Sequence, residues 1–251
     1  MRPIRRIITS RRGGVSSAPY DTFNLGDTVG DSAAAVAANR AELARSAGLP
    51  PPSVVWMRQA HGTTVTTVTG PWPPGRAAGA VSQEVPETDG IVTGTAGVGL
   101  GVLVADCVPM LAGDPVAGVI AAVHAGRRGA AAGIALRALQ AMTAAGASIG
   151  SVEVLLGPAI CGDCYEVPVR MRDDVDAALP GSACRTDRGT PGLDLRAGLA
   201  RQLRAAGVAG VMIDPRCTFT DPALFSHRRG APTGRFAGLI WMPRTDDRTE
   251  E

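Results

Sequence analysis

The sequence predicts an α/β fold of the mixed α+β kind, one compact domain over residues 1–251 with mixed β-sheets flanked by helices. Short apolar β-type runs dominate the first half of the chain and amphipathic segments the second. Their order shows no regular βαβ alternation, which argues against a doubly wound parallel sheet. At 251 residues with 45% hydrophobic content, the chain can bury a core without disulfide or metal staples.

The first element is a short strand at roughly residues 4–9, followed by "RRGGVSSAPYDTFNLGDTVGD", whose Gly, Ser, Asp and Pro content predicts a structured loop. Asp31 or Ser32 then caps an alanine-rich helix that closes at Gly48 and the prolines beyond it. "SVVWMRQ" reads as a strand running into "AHGTTVTTVTG", so His61 falls in a turn between two β-rich segments. Residues 70–88 carry Pro and Gly without periodicity and predict a surface loop. The runs "DGIVT", "GVGLGVLVADC", "VPMLAGD" and "AGVIAAVHAG" predict neighbouring strands.

After "HAGRRG" the pattern turns helical, with Ile134, Leu136, Leu139 and Met142 offered as one apolar side and Gly146 as the stop. "SVEVLLGPAI" is a strand, and helices follow at roughly 168–179 and 194–206, the latter with Leu195, Leu199 and Leu203 at i, i+4, i+8. "GVMID" and "FAGLIWM" supply the last strands, and "RTDDRTEE" reads as a solvated tail.

Composition excludes several chemistries. All 25 basic residues are arginine, so Schiff-base catalysis, lysine-anchored pyridoxal phosphate and a P-loop are ruled out. A formal net charge of +2, with arginines scattered rather than gathered, argues against nucleic acid as a partner. No apolar stretch suits a bilayer span, and "MRPIRRIITSRR" lacks the apolar segment of a secretion signal, so the expected location is the cytoplasm. Five cysteines, an odd number in a long chain, point to reduced thiols, a metal site or catalysis rather than a disulfide framework.

Three places carry chemistry: "RQAHG" at 58–62, "ADC" at 105–107 and "VHAGRRG" at 123–129. Each sets a soft or borderline metal ligand at the end of a β-type run, where side chains from separate strands can meet. Two imidazoles and one thiolate from His61, His124 and Cys107 would make a three-ligand site with a fourth position free, the layout of a catalytic zinc. Packing for the thiol and simple hydrogen bonding for the histidines remain the alternatives on spacing alone.

The ordered set "RRGGVSSAPYDTFNLGDTVGD", "RQAHGTTV", "TDGIVT", "VLVADCVPML", "AAVHAGRRG", "GPAICGDCYEV", "LDL", "CTFT" and "FSHRRGAPTGRFAGLIW" resembles the laccase-domain family. Its members are also described as polyphenol oxidoreductases, purine nucleoside phosphorylases with adenosine deaminase activity, and peptidoglycan editing factors. The resemblance covers nearly the whole chain and implies a catalytic metal held by His61, Cys107 and His124. Zn2+ is the expected ion, with Cu2+ as the other metal that imidazole and thiolate suit. A multicopper oxidase needs more histidines than the three present, so copper polyphenol oxidation ranks lower.

The implied reaction is phosphorolysis of adenosine, inosine, guanosine and 5'-methylthioadenosine, with adenosine also deaminated. Such a metal can activate water or position phosphate. Phosphate calls for arginine forks, and Arg58 and Arg128 are the first candidates, ahead of Arg40, Arg228 and Arg229. Asp106, beside a ligand, could orient an imidazole or donate a proton to the leaving base, unless it faces the far side of its strand. Arg127 stands where the family usually has tryptophan, and His227 where tyrosine is common. Cys161 and Cys164 form a lone CxxC outside any thioredoxin-like pattern, which reads as packing or loop thiols before redox. The rival functions are a cysteine hydrolase with Cys107 as nucleophile and His124 as base, and peptidoglycan-precursor editing.

Overall fold

The computed structural model describes residues 1–70 and 84–244. Residues 71–83 of the expected 70–88 surface loop and nearly all of the expected tail lie outside the described residues, and Glu84–Val85, at the end of that segment, form a short strand with Val85 buried rather than a surface loop. Two mixed sheets stack face to face. The five-stranded sheet runs β1 (Arg5–Ile8), β13 (Phe236–Trp241), β6 (Gly99–Val104), β2 (Val54–Met57) and β4 (Glu84–Val85). The six-stranded sheet runs β12 (Gly210–Ile213), β9 (Glu153–Leu156), β7 (Val108–Asp114), β8 (Val119–Ala125), β5 (Gly90–Thr93) and β3 (Val65–Thr67). A small antiparallel pair, β10 (Ala183–Arg185) with β11 (Pro191–Leu193), was not foreseen from the sequence. Its three-residue strands carry too little alternation to register as β structure.

Helices cover both outer faces. α1 (Ala33–Ser46) lies on the five-stranded sheet, where Leu43 and Ala44 join Trp56, Leu103, Leu239 and Trp241. Ser32 is its N-cap, accepting from the Ala35 N–H at 3.5 Å. On the other side, α3 (Ile134–Ala144) and α5 (Leu195–Ala205) pack on the six-stranded sheet through Ile134, Leu139, Met142, Leu195, Leu199 and Leu203. α2 (Arg127–Ala131) and α4 (Val169–Ala178) complete the set.

The helix expected after "HAGRRG" is broken in two at Gly133, whose φ of 87° is left-handed. Leu136 is 37% exposed, because a residue two positions from Ile134 points about 200° around the helix. Ala135 and Ala138 take its place on the buried side.

The strands read as continuous apolar runs because the central ones are covered on both faces. Leu100, Val102 and Val104 of β6 meet Leu111 of β7 and Ile120 and Ala122 of β8 between the sheets, while Ala121 and Val123 face the helices. His124 shares the parity of Ile120 and Ala122, so its ring projects toward the seam between the sheets.

Two crossings at one end of that seam define the site. The chain leaves β2 in the first sheet and reaches β3 in the second through 58–64, and leaves β6 for β7 through Ala105, Asp106 and Cys107. Since β2 and β6 run parallel, both crossings lie at the same end. The corners show in the backbone: His61 has φ 59° and Asp106 φ 95°.

Candidate metal centre

Sheet register brings the donor residues together. In the β5–β8 ladder Gly90 faces Val123, which sets Asp89 opposite His124, and the His124 N–H donates to the Asp89 carbonyl at 2.7 Å. In the β7–β8 ladder Val108 faces Ala125, so Cys107 lies beside Gly126, just past His124. His61 arrives from the other crossing. The donor atoms of His61, Cys107 and His124 all lie within 4.8 Å of one another. The two rings stand edge to face, with centroids 4.6 Å apart and planes at 89°.

Gly126 shows how tightly the three converge. A Cβ there would sit 2.9 Å from His61 Cδ2, 3.1 Å from Cys107 Sγ and 3.4 Å from His124 Cε1. Gly129, one turn into α2, approaches the Gly62 carbonyl so closely that a Cβ would fall 2.7 Å from its oxygen. The glycines of "HG" and "HAGRRG" therefore let the two histidine-bearing segments touch.

Asp89 organises the centre, a role the sequence did not single out although "TDGIVT" contains it. Its carboxylate accepts the backbone N–H groups of Ala60 (3.2 Å), His61 (2.9 Å) and Gly62 (2.7 Å), fixing the left-handed turn. The same carboxylate meets His124 Nδ1 at 2.8 Å. With Nδ1 committed to Asp89, Nε2 is left to face the cluster, the carboxylate–histidine arrangement common around bound metals. Burial raises the Asp89 pKa, but the bond to His124 and the N–H donors outweigh that and hold it below the usual carboxylate range.

Burial opposes the Cys107 thiolate as well, yet His124 and then His61 overcome it and bring the thiol to about 6. Burial likewise opposes the His124 cation, while Asp89 and then Cys107 raise its pKa to about 9. The residues fit a soft or borderline divalent ion. An anionic sulfur and two imidazoles converge, one ring is oriented by a carboxylate, and His61 remains exposed toward the cleft.

The cleft, ≈ 400 Å³, is lined by the three donors together with Gln59, Asp106, Arg127, Tyr165, His227, Arg228 and Arg235. Gln59 locks the two crossings to each other, donating from Nε2 to the Leu103 carbonyl at 2.8 Å and accepting the Leu103 N–H at 2.9 Å. Arg228 stacks over Tyr165 with its guanidinium carbon 5.1 Å from the ring centre.

Of the arginines selected from sequence, Arg228 lines the cleft and the other four do not. Arg58 pairs with Glu84 at 3.1 Å and is not among the cleft residues. Arg128 is exposed outside the lining, whereas Arg127, one position earlier and about 100° around the helix, faces inward. Arg40 is buried between Asp27 and Glu84 and stacks on Trp56, and Arg229 is spent on the carbonyls of Thr218 and Asp221. Asp106 lines the cleft, but both its oxygens are engaged: Thr218 Oγ1 donates to one at 2.6 Å and the Arg228 N–H to the other at 2.7 Å.

The chain is similar to several known proteins. The family described as multi-copper polyphenol oxidoreductase laccase matches residues 5–243. A purine nucleoside phosphorylase of Mycobacterium tuberculosis is 56% identical over 239 residues, covering 95% of this chain and 92% of its own. One of Corynebacterium glutamicum is 51% identical over 243 residues, covering 97% and 96%. Among solved structures, YlmD from Geobacillus stearothermophilus superposes with a TM-score of 0.88 at 35% identity, covering 96% of this chain and 92% of that one.

Proposed function

Because this chain belongs to the multi-copper polyphenol oxidoreductase laccase family, and relatives at 51–56% identity bear the name purine nucleoside phosphorylase, we propose that it is a metal-dependent purine nucleoside phosphorylase. The substrates are adenosine, inosine, guanosine and 5'-methylthioadenosine with phosphate as the co-substrate, and adenosine is also deaminated. His61, Cys107 and His124 hold the ion, Zn2+ before Cu2+. When bound, it would supply Lewis-acid charge to the cleft.

The chain's own residues do the rest. Arg127, Arg228 and Arg235 line the cleft and supply the positive charge that a phosphate dianion requires. Tyr165, stacked under Arg228, offers an aromatic edge beside that charge for the nucleoside. Asp89 holds the proton on His124 Nδ1 and keeps Nε2 free for the ion. Asp106, with both oxygens occupied, is a positioning residue that ties the Cys107 corner to the loop of Arg228.

The observation that carries this reading is the second imidazole. Asp89, His124 and Cys107 alone have the order of an acid–base–nucleophile triad, which favours a cysteine hydrolase as the second reading. A triad has no use for His61 converging on the same sulfur, and a three-donor metal centre does. The deciding experiment is inosine turnover with and without phosphate, in metal-loaded and chelated protein, alongside Cys107→Ala. Phosphate-dependent release of hypoxanthine and ribose 1-phosphate, lost on chelation and restored by zinc, is expected. Turnover by metal-free protein, with a covalent adduct on Cys107, would establish the hydrolase instead.

A further inference from the structure

A second set of sulfurs converges outside the cleft. Cys161 and Cys164 lie in the loop after β9, and Cys217 follows β12, more than fifty residues further on. The three Sγ atoms lie within 4.8 Å of one another. A metal bound to sulfur at about 2.3 Å in tetrahedral geometry places its ligands about 3.8 Å apart, so the spacing needs only a small contraction. The backbone is already shaped for it. The N–H groups of Cys164 and Tyr165 both return to the Cys161 carbonyl, at 3.1 and 2.9 Å, folding the CxxC into a tight turn. The Cys161 N–H donates to Cys217 Sγ at 3.3 Å. A parallel bridge between Ala159 and Cys217 holds the two segments in register.

We propose that Cys161, Cys164 and Cys217 form a second metal site, separate from the His61, Cys107 and His124 centre, that takes one thiophilic cation, Zn2+ or Cu+. Three thiolates without a histidine or carboxylate donor select soft ions. Cys164 also borders a separate cavity of ≈ 250 Å³, which leaves room for a water as fourth ligand.

The location gives the site a purpose. The Ile160 N–H donates to the Asp106 carbonyl at 3.1 Å, and Thr218, next to Cys217, donates its hydroxyl to the Asp106 carboxylate. Both thiol-bearing segments therefore grip the corner that delivers Cys107, and Ile160 lines the cleft itself. An ion joining them clamps that wall without touching substrate. Binding free energy becomes stability of the cleft wall.

The test uses the full-length protein, reduced and stripped of metal, dialysed anaerobically against Zn2+ in one arm and Cu+ in the other. Metal per chain is counted by elemental analysis, and the thiols protected from maleimide are mapped by peptide mass spectrometry. With the preferred ion, about two equivalents are expected in the natural protein, and about one each in Cys107→Ala and in Cys161→Ser/Cys164→Ser. Protection should cover all three cluster thiols in Cys107→Ala. Should the double variant fail to fold, the protection map of Cys107→Ala decides alone. In that variant, no bound metal in either arm, or free labelling of Cys161, Cys164 and Cys217 at saturating metal, overturns the proposal. So does a disulfide among these three in protein purified under anaerobic, reducing conditions. These readouts do not depend on catalysis, so they stand apart from the test of the phosphorylase reading.

Discussion

The two sulfur-bearing clusters of this molecule use the same atom in opposite electrostatic settings. Around Cys107, burial is overruled by two imidazoles and the thiol comes down to about 6. Around Cys164, burial is reinforced by the bond to Cys161 and by the neighbouring sulfurs, and the thiol is pushed up to about 12. Cation-forming neighbours make a thiolate ready before any ligand arrives. Burial and the Cys217 sulfur push Cys161 up as well, whereas Cys217 is brought down against its own burial by the N–H and thiol of Cys161.

The contrast can be broken most severely at Asp89. Asp89→Asn keeps an acceptor for the 60–62 turn but removes the charge that supports His124. Outer-shell changes of this kind cost about 10–100-fold in metal affinity or activity. Zinc titration should show that loss at the histidine centre, with the three-thiol cluster unchanged. Gly126→Ala comes next. Its methyl would press on His61, Cys107 and His124 together, and overpacking of this order costs about 1–3 kcal/mol. The check is a weakened zinc affinity together with a lowered unfolding midpoint.

A labelling experiment sharpens the comparison without mutation. In metal-free protein the thiolate fraction of Cys107 rises as pH climbs through about 6, so iodoacetamide should label it fully at pH 7.5. Cys164, at about 12, should stay largely unlabelled there. Mass spectrometry of the two peptides across pH 5–9 measures both. The smallest effect belongs to Arg58, which is exposed and paired with Glu84. Arg58→Ala should change stability by no more than about 1 kcal/mol and leave the KM for phosphate unmoved, whereas Arg127→Ala should raise that KM.

Much of the architecture was legible because apolar runs and caps are local signals. Ser32, Gly48, Gly146 and the Leu195, Leu199 and Leu203 ridge all fall where periodicity and turn chemistry put them. That His61, Cys107 and His124 belong to one site was carried by the ordered motifs of the resemblance, since their place at the ends of β-type runs left packing and simple hydrogen bonding as alternatives. What could not be read was direction. Arg127 and Arg128 are equivalent in sequence, and only the phase of α2 against the cleft separates them. Asp89 looks like any acid before a glycine until ladder pairing sets it across from His124. Cys217 joins Cys161 and Cys164 through a bridge between distant segments, a pairing that no spacing rule encodes.

The corners at His61 and Asp106 carry a further meaning. Two of the three donors ride on segments that pass from one sheet to the other, and the third is rooted at the end of a strand in the second sheet alone. The trio thus works as a caliper across the sandwich, its opening set by how the two layers seat on each other. Shaving a large side chain from the interior, Leu111 or Phe236 for example, would then register as a looser grip on the ion, although neither residue is a donor.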